Sequence, residues 1–160
     1  MKPILLLYLA FSLFSCQGFS QKKDSKNTTT YKVEKSKTEW KAELSDLQYR
    51  VMREEGTERA FSSPLDKVYE PGVYLCSACE TPLFTSEAKF DSGSGWPSFD
   101  TYIKGNVLFS DGGNGYYGIE EHCATCGSHL GHVFNDGPIN TTGKRHCING
   151  VALIFVPKGN

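Results

Sequence analysis

No stretch of this sequence is basic enough to follow a nucleic-acid backbone, and no unit repeats at a fixed period. The formal net charge of the 160 residues is −1, so no dense cluster of Lys and Arg is there to neutralise phosphates, and a nucleic-acid partner is excluded. The apolar run over residues 4–14 falls short of the roughly 20 residues that a membrane-spanning helix needs. Amphipathic helices do not alternate with the strand-like runs, which argues against a doubly wound parallel sheet. Gly113-Asn114-Gly115-Tyr116-Tyr117-Gly118 fits the GxGxxG dinucleotide fingerprint. It follows a turn and enters a β-like run, however, without the helix N-terminus that would hold a pyrophosphate.

Turn formers are abundant. Sixteen glycines and seven prolines favour a β-rich fold with many turns. Charged residues are 22% and aromatics 12%, which suits one packed domain rather than a disordered chain. Met1-Lys2 followed by the apolar run reads as a secretory signal over residues 1–20. Leu13-Phe14-Ser15-Cys16 resembles a lipobox, in which Cys16 is acylated and becomes the new N-terminus. A rival cut follows Gly18-Phe19-Ser20. Either cut predicts an exported protein of the bacterial envelope, periplasmic or anchored to a membrane through a lipid on Cys16. Residues 21–37 are mostly Lys, Ser, Thr and Asn and read as a flexible tether. The folded domain is expected over residues 38–160.

Ser36 and Glu39 form a capping-box pattern, and Trp40 and Leu44 share a helical face. Ser45 and Gln48 repeat the box and start a second helix, which Gly56 is expected to end in a left-handed cap. Strands are predicted over 73–75, 107–109, 116–120, 130–134, 146–149 and 151–156, separated by Gly- and Pro-containing turns.

Cys76-Ser77-Ala78-Cys79 and Cys123-Ala124-Thr125-Cys126 are two CxxC pairs. Each can place two thiolates at neighbouring corners of a tetrahedron, and together they would complete a closed four-sulfur zinc site. Two disulfides are the competing reading for an exported chain. A redox CxxC lacks its thioredoxin-like βαβ context. Cys147 is left over. A lone strand cysteine is often an inert core residue. In a strand, however, Arg145 and Asn149 share its face, and Arg145 would favour the thiolate. His129 and His132 are either structural or polar groups of a site, with Phe134 on the same face as His132. Trp96 sits in the Gly93-Ser94-Gly95-Trp96-Pro97-Ser98-Phe99 loop and is either core or a pocket wall.

Together these pieces resemble the B-type methionine sulfoxide reductases from about Thr38 to Pro157. The resemblance rests on Tyr49-Arg50-Val51-Met52-Arg53-Glu54-Glu55-Gly56-Thr57-Glu58-Arg59, Gly95-Trp96-Pro97-Ser98-Phe99, the segment from His129 to Phe134, Arg145-His146-Cys147-Ile148-Asn149 and the two CxxC pairs. It implies a mainly β fold, two antiparallel sheets in a tent-like arrangement with short N-terminal helices. A structural zinc held by Cys76, Cys79, Cys123 and Cys126 would lie far from the catalytic sulfur. It implies reduction of methionine (R)-sulfoxide, free or in proteins, with Cys147 as nucleophile and a sulfenic acid intermediate. Trp96 would wall the pocket, with Phe134 beside it. His129, His132 and Asn149 would bind or polarise the sulfoxide oxygen, and Arg145 with Asp136 would tune the site.

Three positions depart from the family pattern. Ser94 stands where many members carry a recycling cysteine, which implies direct reduction by an external thioredoxin-like thiol. His146 replaces Tyr or Phe and is expected to alter packing on the side away from the sulfur. Gly150 replaces Ser and is expected to loosen the active-site strand. A monomer is expected. A non-catalytic zinc-binding interaction module is the alternative from another class. A zinc hydrolase needs an open coordination position that four thiolates do not leave.

Overall fold

The computed structural model describes residues 30–110 and 118–159. The signal, Cys16 and residues 21–29 of the expected tether lie outside the described residues. So do positions 113–117 of the GxGxxG run and the first two positions of the strand expected over 116–120. Among the described residues no helix is long and apolar enough to cross a membrane.

Both capping boxes form. α1 (Lys37–Glu43) is capped by Ser36, whose hydroxyl accepts from the Glu39 N–H while the Glu39 carboxylate accepts from the Ser36 N–H. α2 (Asp46–Arg53) repeats this with Ser45 and Gln48. Each box satisfies two of the N–H groups that a helix start leaves without partners. Trp40 and Leu44 are buried, as are Val51 and Met52 on α2. The left-handed residue after α2 is Glu55 (φ 55°), not Gly56. Gly56 serves close approach instead: its N–H donates to the Arg50 carbonyl at 3.0 Å, and a Cβ there would stand 2.8 Å from that oxygen.

Among the described residues, nine strands make two antiparallel sheets. β1 (Gly72–Cys76) is the centre of a three-stranded sheet, flanked by β2 (Pro82–Thr85) and β9 (Leu153–Pro157). Pro82 opens an edge strand, where a missing N–H does no harm. The second sheet contains β3 (Lys89–Phe90), β4 (Ser98–Phe99), β5 (Val107–Phe109), β6 (Ile119–Cys123), β7 (His129–Phe134) and β8 (Arg145–Ile148). Its order is β3-β4-β8-β7-β6-β5. The strand expected over 116–120 runs to Cys123. The one expected over 151–156 starts only at Leu153, because Gly150–Ala152 form a 3₁₀ turn. β2, β3 and β4 were not among the expected strands.

The sheets meet through aromatic rings. Phe99 of β4 stacks on Phe84 of β2 at 4.3 Å and stands edge-on to Tyr74 of β1 at 4.9 Å. All three are fully buried, and each such side chain contributes roughly 1.5–3 kcal/mol by leaving water. β8 lies between β4 and β7, with Cys147 opposite Ser98 on one side and His132 on the other. Its burial alternates, His146 and Ile148 inside and Arg145 and Cys147 half-exposed, so Cys147 faces away from the core.

Ordered contacts begin ahead of Thr38. The Val33 N–H donates to the Thr125 carbonyl at 2.9 Å, and the Tyr31 ring lies against Gly127.

Candidate active site and metal centre

The two CxxC pairs fold into matching turns. The Glu80 N–H donates to the Cys76 carbonyl at 2.8 Å, and the Gly127 N–H to that of Cys123 at 2.9 Å. Glu80 and Gly127 are both left-handed, at φ 59° and 67°. Cys79 Sγ lies 3.2 Å from the Thr81 hydroxyl, and Cys126 Sγ lies 3.2 Å from that of Ser128. The four sulfurs lie within 4.8 Å of one another, with Cys76–Cys126 at 3.8 Å and Cys79–Cys123 at 3.5 Å. A tetrahedron with zinc–sulfur bonds of ~2.3 Å has edges of about that length. No two of the sulfurs are joined as a disulfide. Hydrogen bonds to the neighbouring sulfurs, with burial added, push the Cys76 thiol up. The same neighbours pull Cys79 down and Cys123 to about 7. One cation would let all four ionise, and the donor set fits a closed structural zinc site.

On the exposed face of β8 a cavity of about 240 Å³ is lined by Thr57, Trp96, Gly131, His132, Phe134, Cys147 and Asn149. Trp96, Phe134, His132, Cys147 and Asn149, drawn from three separate motifs, therefore meet in one place. The Trp96 indole N–H donates to the Glu58 carbonyl at 3.3 Å. The Asn149 amide is engaged on both atoms: Oδ1 accepts from the Glu58 N–H at 2.9 Å, and Nδ2 donates to the Leu130 carbonyl at 3.0 Å. One amide proton remains for the cavity. The Glu58 carboxylate accepts from the N–H groups of Gly150 and Val151, at 2.5 and 3.0 Å. Glu58 thus ties together the Trp96 loop, Asn149 and the turn after β8. Burial pushes its carboxyl up, against those two hydrogen bonds. Nothing in the pattern around Glu58 separates it from a solvent-facing charge, and it was not among the expected site residues.

His129 does not line the cavity. Its ring is buried behind His132, 5.3 Å between centroids, and its Nδ1 bonds the Glu120 carboxylate at 2.8 Å. A carboxylate only accepts, so Nδ1 is the donor of that bond. Nε2 has no partner among the described residues. Burial, then the neighbouring His129, hold His132 below the ordinary histidine value. At neutral pH it is an uncharged imidazole that can donate one hydrogen bond into the cavity.

Arg145 and Asp136 form a two-pronged ion pair at 2.8 and 2.9 Å, and the guanidinium lies 4.3 Å over the Phe134 ring. Asp136 is exposed and neither charge lines the cavity, so the pair braces the Phe134 wall from outside. The sequence favoured Arg145 as the group that ionises Cys147. In the fold burial dominates and raises the thiol. A hydrogen bond from the Ser94 hydroxyl is the largest single influence against it, followed by the charge and the hydrogen bond of Arg145 and then by Ser98. Ser94 Oγ lies 3.7 Å from Cys147 Sγ.

On the other face of β8, His146 Nδ1 lies 2.5 Å from the carboxylate of the buried Glu121. Gly150 is not a gap: the Ser63 hydroxyl fills the space that its side chain would take.

The SelR domain family matches residues 44–157. The chain belongs to the MsrB family. It is 47% identical over 131 residues to the peptide methionine sulfoxide reductase MsrB of Agrobacterium fabrum, covering 81% of this chain and 96% of that one. The protein of the same name in Leptospira interrogans is 49% identical over 127 residues, 78% and 96% of the two chains. Mouse methionine-R-sulfoxide reductase B3, mitochondrial, is 47% identical over 137 residues, 84% of this chain and 53% of that one.

Proposed function

We propose that this protein reduces methionine (R)-sulfoxide, free or in polypeptides, to methionine, with Cys147 as nucleophile. The observation that carries the reading is the cavity itself. One thiol, one neutral imidazole and two aromatic walls converge in about 240 Å³, which suits a substrate group with one polar oxygen and one methyl. The Cys147 thiolate attacks the sulfoxide sulfur. His132 hydrogen-bonds the oxygen, which gains a proton as its bond to sulfur breaks. The attack bonds Sγ to the substrate sulfur while the oxygen departs as water; water then replaces that sulfur on Sγ, so methionine leaves with two electrons gained and Cys147, two electrons poorer, is a sulfenic acid.

Ser94 offers no second thiol, so an external dithiol of the thioredoxin type completes the cycle. Its first thiol displaces water from the sulfenic acid to give a mixed disulfide, and its second releases the Cys147 thiol. Cys76, Cys79, Cys123 and Cys126 would hold zinc, which supplies cross-linking to the fold rather than chemistry at Cys147.

Racemic N-blocked methionine sulfoxide, supplied with dithiothreitol to the zinc-loaded protein and to Cys147→Ser, tests the reading. Selective loss of the R epimer with the unsubstituted protein alone is expected. If neither epimer is consumed by a folded, zinc-loaded protein, a partner-binding zinc module takes the place of the reductase. A secretory signal over residues 1–20, with or without a lipid on Cys16, would carry the protein to the envelope, where it would repair oxidised proteins as a monomer. Recovery of the native protein in the cytosolic fraction overturns that location.

A further inference from the structure

Three serine hydroxyls run in series from the catalytic sulfur. Ser94 Oγ stands 3.7 Å from Cys147 Sγ, Ser92 Oγ 2.8 Å from Ser94 Oγ, and Ser98 Oγ 2.7 Å from Ser92 Oγ. The last hydroxyl also lies 3.1 Å from the Trp96 carbonyl. Ser98 is fully buried and pairs with Cys147 across the β4–β8 ladder. Each hydroxyl has one proton to give, so the direction of one bond fixes the direction of the next.

Two arrangements follow. When Cys147 is a thiol, its proton points to Ser94, that of Ser94 to Ser92, that of Ser92 to Ser98, and that of Ser98 to the Trp96 carbonyl. When Cys147 is ionised its sulfur only accepts. Ser94 then turns its proton to the sulfur, Ser92 turns to Ser94, and Ser98 turns from the Trp96 carbonyl to Ser92. Ser92 Oγ also accepts from the Ser94 N–H at 3.3 Å. No proton crosses between oxygens; three hydroxyls rotate, and the proton of the thiol leaves to solvent or substrate.

The geometry points to Ser94 as a catalytic residue, with Ser92 and Ser98 as positioning residues behind it, in a hydroxyl chain that reverses when Cys147 ionises. This rests on Cys147 being the nucleophile. A hydrogen bond given only to the charged form favours that form, and bonds in series strengthen one another. The influences on the thiol agree in sign: the Ser94 hydroxyl opposes burial, and so, more weakly, does that of Ser98.

The test is the pH profile of Cys147 alkylation by iodoacetamide in the zinc-loaded protein, followed by mass spectrometry of the Cys147 peptide. Ser94→Ala is expected to raise the midpoint by about one pH unit, a roughly tenfold loss of thiolate at neutral pH. Ser92→Ala, which touches neither sulfur nor cavity, is expected to raise it by about half a unit, and Ser94→Thr to restore it. A Ser92→Ala midpoint equal to that of the unsubstituted protein overturns the chain, as does an unmoved Ser94→Ala. Iodoacetamide needs no sulfoxide. A protein that shows these shifts but reduces no sulfoxide would overturn the reductase reading and leave the chain standing.

Discussion

Ser63 and Gly150 occupy one space. A Cβ at position 150 would lie 2.0 Å from the Ser63 hydroxyl oxygen and 2.3 Å from its Cβ. The hydroxyl is also held in place, because it accepts from the Leu65 N–H at 3.2 Å and caps the 3₁₀ turn Pro64–Lys67. A serine side chain at position 150 would therefore need Ser63 to give way. Gly150→Ser alone is expected to lose about 1–3 kcal/mol through overpacking. Ser63→Gly combined with Gly150→Ser should recover most of that loss, a coupling that urea unfolding of the two single variants and the double would read. Additive losses would show that the two positions do not share the space.

Glu121 and His146 form a second close pair, an imidazole against a wholly buried carboxyl. Burial pushes that carboxyl up, with His146 as the largest opposing influence. Its other oxygen has no partner among the described residues. His146→Phe would leave both acceptors unmet, and a loss of about 1–3 kcal/mol is expected. Adding Glu121→Val removes the orphan, and the double variant should be at least as stable as the starting protein. Guanidinium unfolding checks both; a His146→Phe protein of unchanged stability would mean that the pair contributes nothing.

What the sequence made legible was whatever has a short-range signature. The Ser36 and Ser45 boxes, the alternation around Cys147 and the two CxxC turns each lie within a few residues, and all formed. β3 and β4 hold two residues each, too few for any period; β4 is a strand because it pairs with β8, and β3 because it pairs with β4. Glu58 and Glu121 carry no short-range signature, because a buried carboxylate is distinguished by its partners, which are distant in sequence. The cavity walls were recognisable through family motifs. That His129 stands behind His132, and that the Ser94 hydroxyl joins Arg145 at the sulfur, follow from tertiary packing, which no spacing encodes.

Tyr31 lies on the turn that presents Cys126. A Cβ at Gly127 would stand 2.5 Å from the ring, and the left-handed backbone there adds a cost of roughly 1–2 kcal/mol for any other residue. Arg53 braces the same turn by donating to the Cys126 carbonyl at 3.0 Å. Tyr31→Ala is therefore expected to speed zinc release to a coloured chelator severalfold, and Gly127→Ala more so, with little change in the Cys147 alkylation profile. Equal release rates from Tyr31→Ala and the unsubstituted protein would show that the segment ahead of α1 does not protect the metal.

Ser94→Cys should convert the chain to internal recycling. The Ser94 oxygen already stands 3.7 Å from the Cys147 sulfur, on a loop whose neighbours Gly93 and Gly95 are both left-handed. A disulfide needs the sulfurs at ~2.05 Å, so a shift of roughly one to two ångströms in this glycine-flanked loop suffices. Once substrate has made the sulfenic acid, the new thiol would displace water from it at an effective concentration that no external thiol matches. One equivalent of sulfoxide should then leave a disulfide between the introduced thiol and Cys147, visible by peptide mapping, with no trappable sulfenic acid, whereas the unsubstituted protein keeps a sulfenic acid that dimedone captures. The substitution also removes the hydroxyl next to the sulfur, so the variant should turn over more slowly while resolving faster. Dimedone capture persisting in Ser94→Cys would place the loop out of reach and argue against Ser94 as the group in contact with the reacting sulfur.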